Sequence, residues 1–117
     1  MSERQRPLES ILVADCGSTW TKIVLLDIVE GQYRFVGSAR AFSTVNDPWD
    51  DATIGVLTAI RELESTTGRT IIDVEGDLIT PETLDGRGVD VFVAVSSAAE
   101  PLEVLLVGLA RDVSLAS

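Results

Sequence analysis

Near the start of the chain, Asp15-Cys16-Gly17-Ser18-Thr19-Trp20-Thr21-Lys22 brings together the groups that grip a polyphosphate. A turn built of glycine and hydroxyl residues points several backbone N–H groups into one concavity, and Ser18, Thr19 and Thr21 add side-chain donors. Gly17 lets a ligand approach the backbone closely. Asp15 ends what reads as a buried strand, where a free carboxylate is costly unless paired or close to a metal. It suits a hydrated Mg²⁺, which keeps most of its waters and takes one or two carboxylates together with phosphate. Lys22 is the only lysine of the chain and returns on the following strand, where its ammonium would offset terminal phosphate charge. The plain alternative is an ordinary Gly-Ser-Thr hairpin with Lys22 in solvent, and residue types and spacing alone leave both readings open.

Composition removes much other chemistry. The chain has 117 residues, enough for one domain or one lobe of a larger one. It holds 9 basic against 19 acidic residues, a formal net charge of −10, so phosphate backbones and anionic membrane surfaces repel it and neither nucleic acid nor a membrane is an expected partner. There is no histidine, which excludes Ser-His-Asp and Cys-His catalysis and histidine-based zinc sites. A single cysteine, Cys16, permits neither an internal disulfide nor a thiolate cluster, and reads as a small buried hydrophobe. Residues 73–90 carry six acids against one base, without the spacing of a calcium loop, and read as a solvated surface segment. No signal peptide and no apolar run long enough to span a bilayer is visible, so a cytoplasmic location is expected.

The elements that must position the motif are read from periodicity. Ser10–Cys16 is a short apolar run suited to a strand buried on both faces. Residues 19–29, rich in β-branched side chains, form a second strand joined to it by a tight hairpin. Residues 33–42 alternate, with Tyr33, Phe35, Gly37 and Ala39 on one side, Arg34, Ser38 and Arg40 on the other, and Val36 as the exception; this is a third strand completing an antiparallel meander. Asp47-Pro48-Trp49-Asp50 is a helix start with Asp47 as the cap, and Ala52, Val56, Ala59, Ile60 and Leu63 make one apolar stripe closing at Gly68. Ile71, Ile72 and Val74 suggest a short strand. Residues 89–95 are a strand parallel to the first, reached over the helix. Residues 102–110 favour a strand, and 113–117 begin an element that does not finish. Residues 1–9 are expected to be a flexible N-terminus, and 10–117 a partial α/β lobe. Trp20 is assigned to packing, since a strand tryptophan is usually core or interface.

The Asp-x-Gly-Ser-Thr-x-Thr-Lys hairpin, between a buried and a β-branched strand, resembles the first phosphate loop of the actin/sugar-kinase/heat-shock ATPase superfamily. Within it, ILVADCGSTWTKIVLLD together with DVFVAVSSAAEPLEVLLVGLARDVS resembles the N-terminus of the MutL accessory proteins of coenzyme-B12-dependent glutamate (methylaspartate) mutase, which are unrelated to the mismatch-repair protein of the same name. The resemblance covers the chain from about Ile11 onward. It implies a ribonuclease H-like lobe binding ATP and Mg²⁺. Asp15 would organise the metal through water, Gly17, Ser18 and Thr19 would wrap the β- and γ-phosphates, and Lys22 would contact phosphate. Thr21 matches the branch motif, and Ser96 and Ser97 would line the cleft, although ordinary turn chemistry is the preferred explanation for them. Glu100-Pro101 stands where the branch commonly has a Gly-Gly pair. The lack of cluster cysteines separates the chain from the iron–sulfur dehydratase activators.

In this superfamily ATP lies between two lobes, and no second phosphate loop is readable here. The expectation is therefore an N-terminal fragment that needs a C-terminal lobe of its own parent chain, hydrolyses no ATP alone, and self-associates as a homodimer through 102–110. The implied function is the nucleotide-binding lobe of a reactivating factor that partners the mutase subunits. Alternatives are the lobe of a small-molecule kinase, or an interaction module that has lost nucleotide binding.

Overall fold

The computed structural model describes residues 8–44 and 51–96, and the backbone of Glu103–Val107. In chain order the elements are β1 (Ser10–Cys16), β2 (Trp20–Val29), β3 (Gln32–Phe42), α1 (Ala52–Thr67), β4 (Val91–Ser96) and β5 (Glu103–Val107). They make a five-stranded sheet ordered β3-β2-β1-β4-β5, with α1 packed on β1, β2 and β3. β1, β2 and β3 form the expected antiparallel meander, and β4 lies parallel to β1. β5 runs antiparallel to β4, so among the described strands parallel pairing is confined to β1 and β4.

Strict alternation along β1 and β2 assigns the two faces. Leu12, Ala14 and Cys16 pair in register with Leu25, Ile23 and Thr21, and all are buried beneath α1. Ala59, Ile60 and Leu63 descend from α1 onto them, with Ile71, Ile72 and Val89 closing the core. Fully burying a Leu or Ile contributes about 1.5–3 kcal/mol, so these few residues hold the helix to the sheet. The opposite, outer face carries Ile11, Val13 and Asp15 of β1 against Leu26, Val24 and Lys22 of β2. No described helix is long and apolar enough to cross a membrane.

The register of β3 corrects its simple alternation. A bulge opposite Leu25 and Leu26 leaves Val36 unpaired, so Leu25 faces Gly37 while Leu26 faces Phe35. Gly37, Ala39 and Ala41 therefore share the helix face, whereas Tyr33 and Phe35 join Ser38, Arg40 and Phe42 on the outer face. Val36 broke the pattern in sequence because it is the extra residue. Gly37 admits the helix: a Cβ there would stand 2.6 Å from Thr67 Cγ2.

The helix cap and the segment after the helix both depart from expectation. The cap is Asp51, whose carboxylate accepts from the Thr53 N–H at 2.9 Å; Asp47 lies outside the described residues. Gly68 closes the helix in the left-handed conformation (φ 76°) and donates its N–H to the Glu64 carbonyl, as the sequence suggested. The strand expected around Ile71, Ile72 and Val74 reduces to one bridge between Ile72 and Leu78, with Val74 in solvent. Glu64 takes over the work of a ladder there, accepting from the N–H groups of Ile71 (2.7 Å) and Ile72 (2.9 Å). Further on, buried Asp90 accepts from the N–H groups of Glu9 (2.6 Å) and Glu82 (2.9 Å) and so ties the acidic crossing to the start of β1.

Candidate functional site

The motif occupies the end of β1, the turn at Gly17, Ser18 and Thr19, and the start of β2. The carbonyl groups of the turn are held from behind. Gly17 N–H donates to the Trp20 carbonyl at 3.0 Å, and Ser43 N–H donates to the Thr19 carbonyl at 2.8 Å. The Ser43 hydroxyl donates to the Gly17 carbonyl at 2.5 Å. With those oxygens engaged, the N–H groups of Ser18 and Thr19 donate to no atom of the described residues, and both side chains are exposed. Backbone amides left without an acceptor among the described residues are the groups that can donate to a ligand's anionic oxygens.

Register places the charged residues beside it. Asp15 pairs with Lys22 across β1 and β2, and Lys22 pairs with Arg40 across β2 and β3. Residues directly opposite in an antiparallel pair share a face, so the three form one row across the outer face. Asp15 is solvent-exposed rather than buried. The burial cost expected of a carboxylate at the end of a buried strand therefore does not arise, and its exposed position suits a hydrated cation.

Other motif residues turn inward. Thr21 is fully buried on the helix face, opposite Cys16, with its hydroxyl 3.4 Å from Ser43 Oγ. It thus lies on the far side of the sheet from Asp15 and Lys22. Cys16 is buried and free, and burial together with the charge of Asp15 pushes its thiol pKa up, opposed by a hydrogen bond to Thr21. Ser96 ends β4 in register with Cys16 and is half-buried on the helix side; Ser97 lies outside the described residues.

Trp20 is not a core residue. It is 40% exposed and stacks on Phe42, its cross-strand partner, at 4.5 Å between ring centroids. The Arg40 guanidinium lies over the Trp20 ring, 4.4 Å from its centroid.

Sequence reasoning missed the residues that support the turn. Ser43 and Thr44 come directly after β3. Thr44 Oγ1 donates to the Asp51 carbonyl (2.5 Å) and accepts from Gly55 N–H (2.9 Å), fixing the first turn of α1 beneath the motif. At Gly55 an added Cβ would stand 3.0 Å from the Phe42 carbonyl and 3.2 Å from Thr21 Oγ1. The available signal was a hydroxyl pair just past the end of an edge strand, indistinguishable in sequence from loop composition.

Two other polar groupings lie away from the motif. Glu9, Glu82 and Asp90 bring carboxylate oxygens within 4.8 Å of one another at the opposite end of β1. A shallow depression nearby is lined by Arg69 and Arg87, each already paired, Arg69 with Asp27 (3.0 Å) and Arg87 with Asp85 (3.2 Å). The Asp27 pairing raises the Arg69 pKa further, and the Thr83 hydroxyl and Arg87 lower that of Asp85.

No curated protein matches the chain at a significant level. The profile of the MutL protein family, however, matches residues 11–117, from the second residue of β1 through the turn, the sheet and beyond. The chain belongs to the MutL family associated with glutamate mutase.

Proposed function

We propose that this chain supplies the polyphosphate-gripping lobe of an ATP-dependent, chaperone-like accessory factor for coenzyme-B12-dependent glutamate mutase. Membership of the MutL family implies the accessory role and association with mutase subunits. The meander, helix and parallel strand support a ribonuclease H-like, actin-like ATPase lobe. The observation that carries nucleotide binding is the turn whose carbonyls are tied back by Ser43 and the Gly17–Trp20 bond while the Ser18 and Thr19 N–H groups have no acceptor among the described residues, next to the Asp15–Lys22 register pair.

The residues present fit Mg·ATP. Asp15 offers an exposed carboxylate able to orient metal-bound water, and Lys22, directly across from it, offers a cation to phosphate oxygens. Bound Mg²⁺ supplies positive charge to the β- and γ-phosphates. The Ser18 and Thr19 amides hold phosphate oxygens in place, their hydroxyls add donors, and Gly17 keeps the approach clear of side chain. Thr21 acts indirectly, by anchoring the start of β2 in the core.

Calorimetric titration with Mg·ADP and Mg·ATP tests this. Charge-assisted hydrogen bonds contribute about 1.5–3 kcal/mol, so Lys22→Met is expected to weaken binding at least about tenfold. Asp15→Asn is expected to weaken Mg·ATP binding while sparing metal-free tripolyphosphate. No binding at millimolar nucleotide by folded protein, or indifference to both substitutions, overturns the proposal. A second reading, an interaction module without nucleotide binding, draws on the exposed Tyr33, Phe35 and Phe42 of β3; it predicts mutase association with no heat from Mg·ATP.

A further inference from the structure

We propose that Arg40 is a second polyphosphate-binding cation of this site, resting on the Trp20 ring in the free protein and leaving it when phosphate binds. The inference depends on the reading of the turn as a phosphate site and extends it to a residue outside the motif, on a different strand.

Three observations converge. First, Asp15, Lys22 and Arg40 are successive register partners across β1, β2 and β3, on the outer face. Strands lie about 4.8 Å apart, so the row spans about 10 Å, and both cations reach one bound polyphosphate. Second, Arg40 leans toward the turn. Its guanidinium lies over Trp20, which is two residues nearer the turn than Lys22, its own cross-strand partner. Third, neither Lys22 nor Arg40 forms an ion pair with a carboxylate of the described residues, whereas Arg69 and Arg87 are paired with Asp27 and Asp85. In a chain of net charge −10, two adjacent cations with no ion-pair partner among the described residues favour a polyphosphate locally.

The aromatic ring is a reversible holder. It keeps a guanidinium oriented without neutralising it, and a bidentate, charge-assisted contact to phosphate is the stronger interaction. Stacking on Phe42 in turn fixes the indole. Arg34 provides an internal comparison. It has the same charge and lies on the same strand, but it pairs in register with Asp27 on the helix face, near the far end of the hairpin.

The test is titration of the protein with Mg·ADP and with sodium tripolyphosphate, following heat and the emission of Trp20 in a Trp49→Phe background. Arg40→Ala is expected to weaken both ligands about tenfold, Arg40→Lys by less, and Arg34→Ala by under twofold. Saturating ligand is expected to change Trp20 emission in the parent and to leave it unchanged in Arg40→Ala. Circular dichroism confirms that the variants are folded, and Arg40→Gln repeats the test with a longer neutral side chain. If the parent binds and Arg40→Ala and Arg40→Gln bind equally well, Arg40 has no such role and the phosphate reading survives. An equal loss in Arg34→Ala reduces the effect to net charge and overturns the specific contact. If the folded parent binds neither ligand, the phosphate reading falls and this inference with it.

Discussion

Replacing Ser43 by alanine tests whether the turn proposed to bind phosphate is held from behind. The hydroxyl donates to the Gly17 carbonyl at 2.5 Å, while the Ser43 backbone N–H separately donates to the Thr19 carbonyl at 2.8 Å. The substitution removes the first tie and leaves the second. One intramolecular hydrogen bond contributes a net of about 0.5–1.5 kcal/mol, and the freed Gly17 carbonyl, in a half-buried glycine, regains some water. The expected destabilisation is therefore about 1 kcal/mol, a fall in Tm of about 4–6 °C for a domain of this size. Urea unfolding and thermal melts followed by circular dichroism measure it. The specific signature is local: amide NMR shifts and faster hydrogen exchange confined to residues 17–20 and 43–44, with the helix and β4 unmoved. Loss of the same tie would cost the proposed site preorganisation, so the nucleotide affinity expected of it falls by no more than about tenfold, since about 1.4 kcal/mol is tenfold. A loss of stability above about 3 kcal/mol would show that Ser43 supports the core rather than the turn. Unchanged shifts at Gly17 and Thr19 would show that the hydroxyl does not restrain the turn at all.

The remaining predictions concern the scaffold. Gly88→Ala is expected to cost about 3 kcal/mol or more in urea unfolding, because Gly88 has φ +83° and its new Cβ would collide with the Ile79 carbonyl and stand 2.6 Å from Ile79 Cγ2; a loss below about 1 kcal/mol would refute the packing of this crossing. Stability is expected to fall as pH rises above 9. The Cys16 pKa is raised in the folded state from its ordinary 9.0, so the unfolded chain releases its proton first and alkaline pH favours unfolding across the window between the two values. Cys16→Ala removes that part of the slope in unfolding curves measured between pH 8 and 10.5, and an unchanged slope would show that the thiol is not its source.

Much of the architecture was legible because it rests on patterns a single chain carries. The apolar run of β1, the β-branched residues of β2 and the stripe from Ala52 to Leu63 marked two strands and a helix that meet in the core, although β1, read as buried on both faces, is fully buried only on the helix side. What escaped was governed by pairings between distant residues. The faces of Tyr33 and Phe35 depend on a bulge set by the partner strand, which appeared in sequence only as the anomaly at Val36. The cap moved to Asp51 because Thr44, just after β3, fixes the first helical turn from outside the helix. Ile71 and Ile72 looked like a strand, but their N–H groups go to one helical carboxylate, Glu64, instead of to a neighbouring strand.

The candidate site shows the same division within eight residues. A motif read as a string suggests that all its polar side chains converge on one ligand. A strand forbids this, because successive side chains point to opposite faces. Once Cys16 and Thr21 enter the core as a register pair, Asp15 and Lys22 must form the next pair on the other face. The inward pair fixes where the strands lie, and the outward pair takes whatever charge the site handles. Only the turn escapes alternation, and there the backbone supplies the donors. Arg40 obeys the same rule: as the register partner of Lys22, it shares the outer face, although eighteen positions separate them in sequence. Register, rather than motif membership, thus decides which side chains can meet a common ligand. By that rule the proposed polyphosphate site is confined to Asp15, Lys22, Arg40 and the amides of the turn, with Thr21 and Cys16 as the fixed side of the same hairpin.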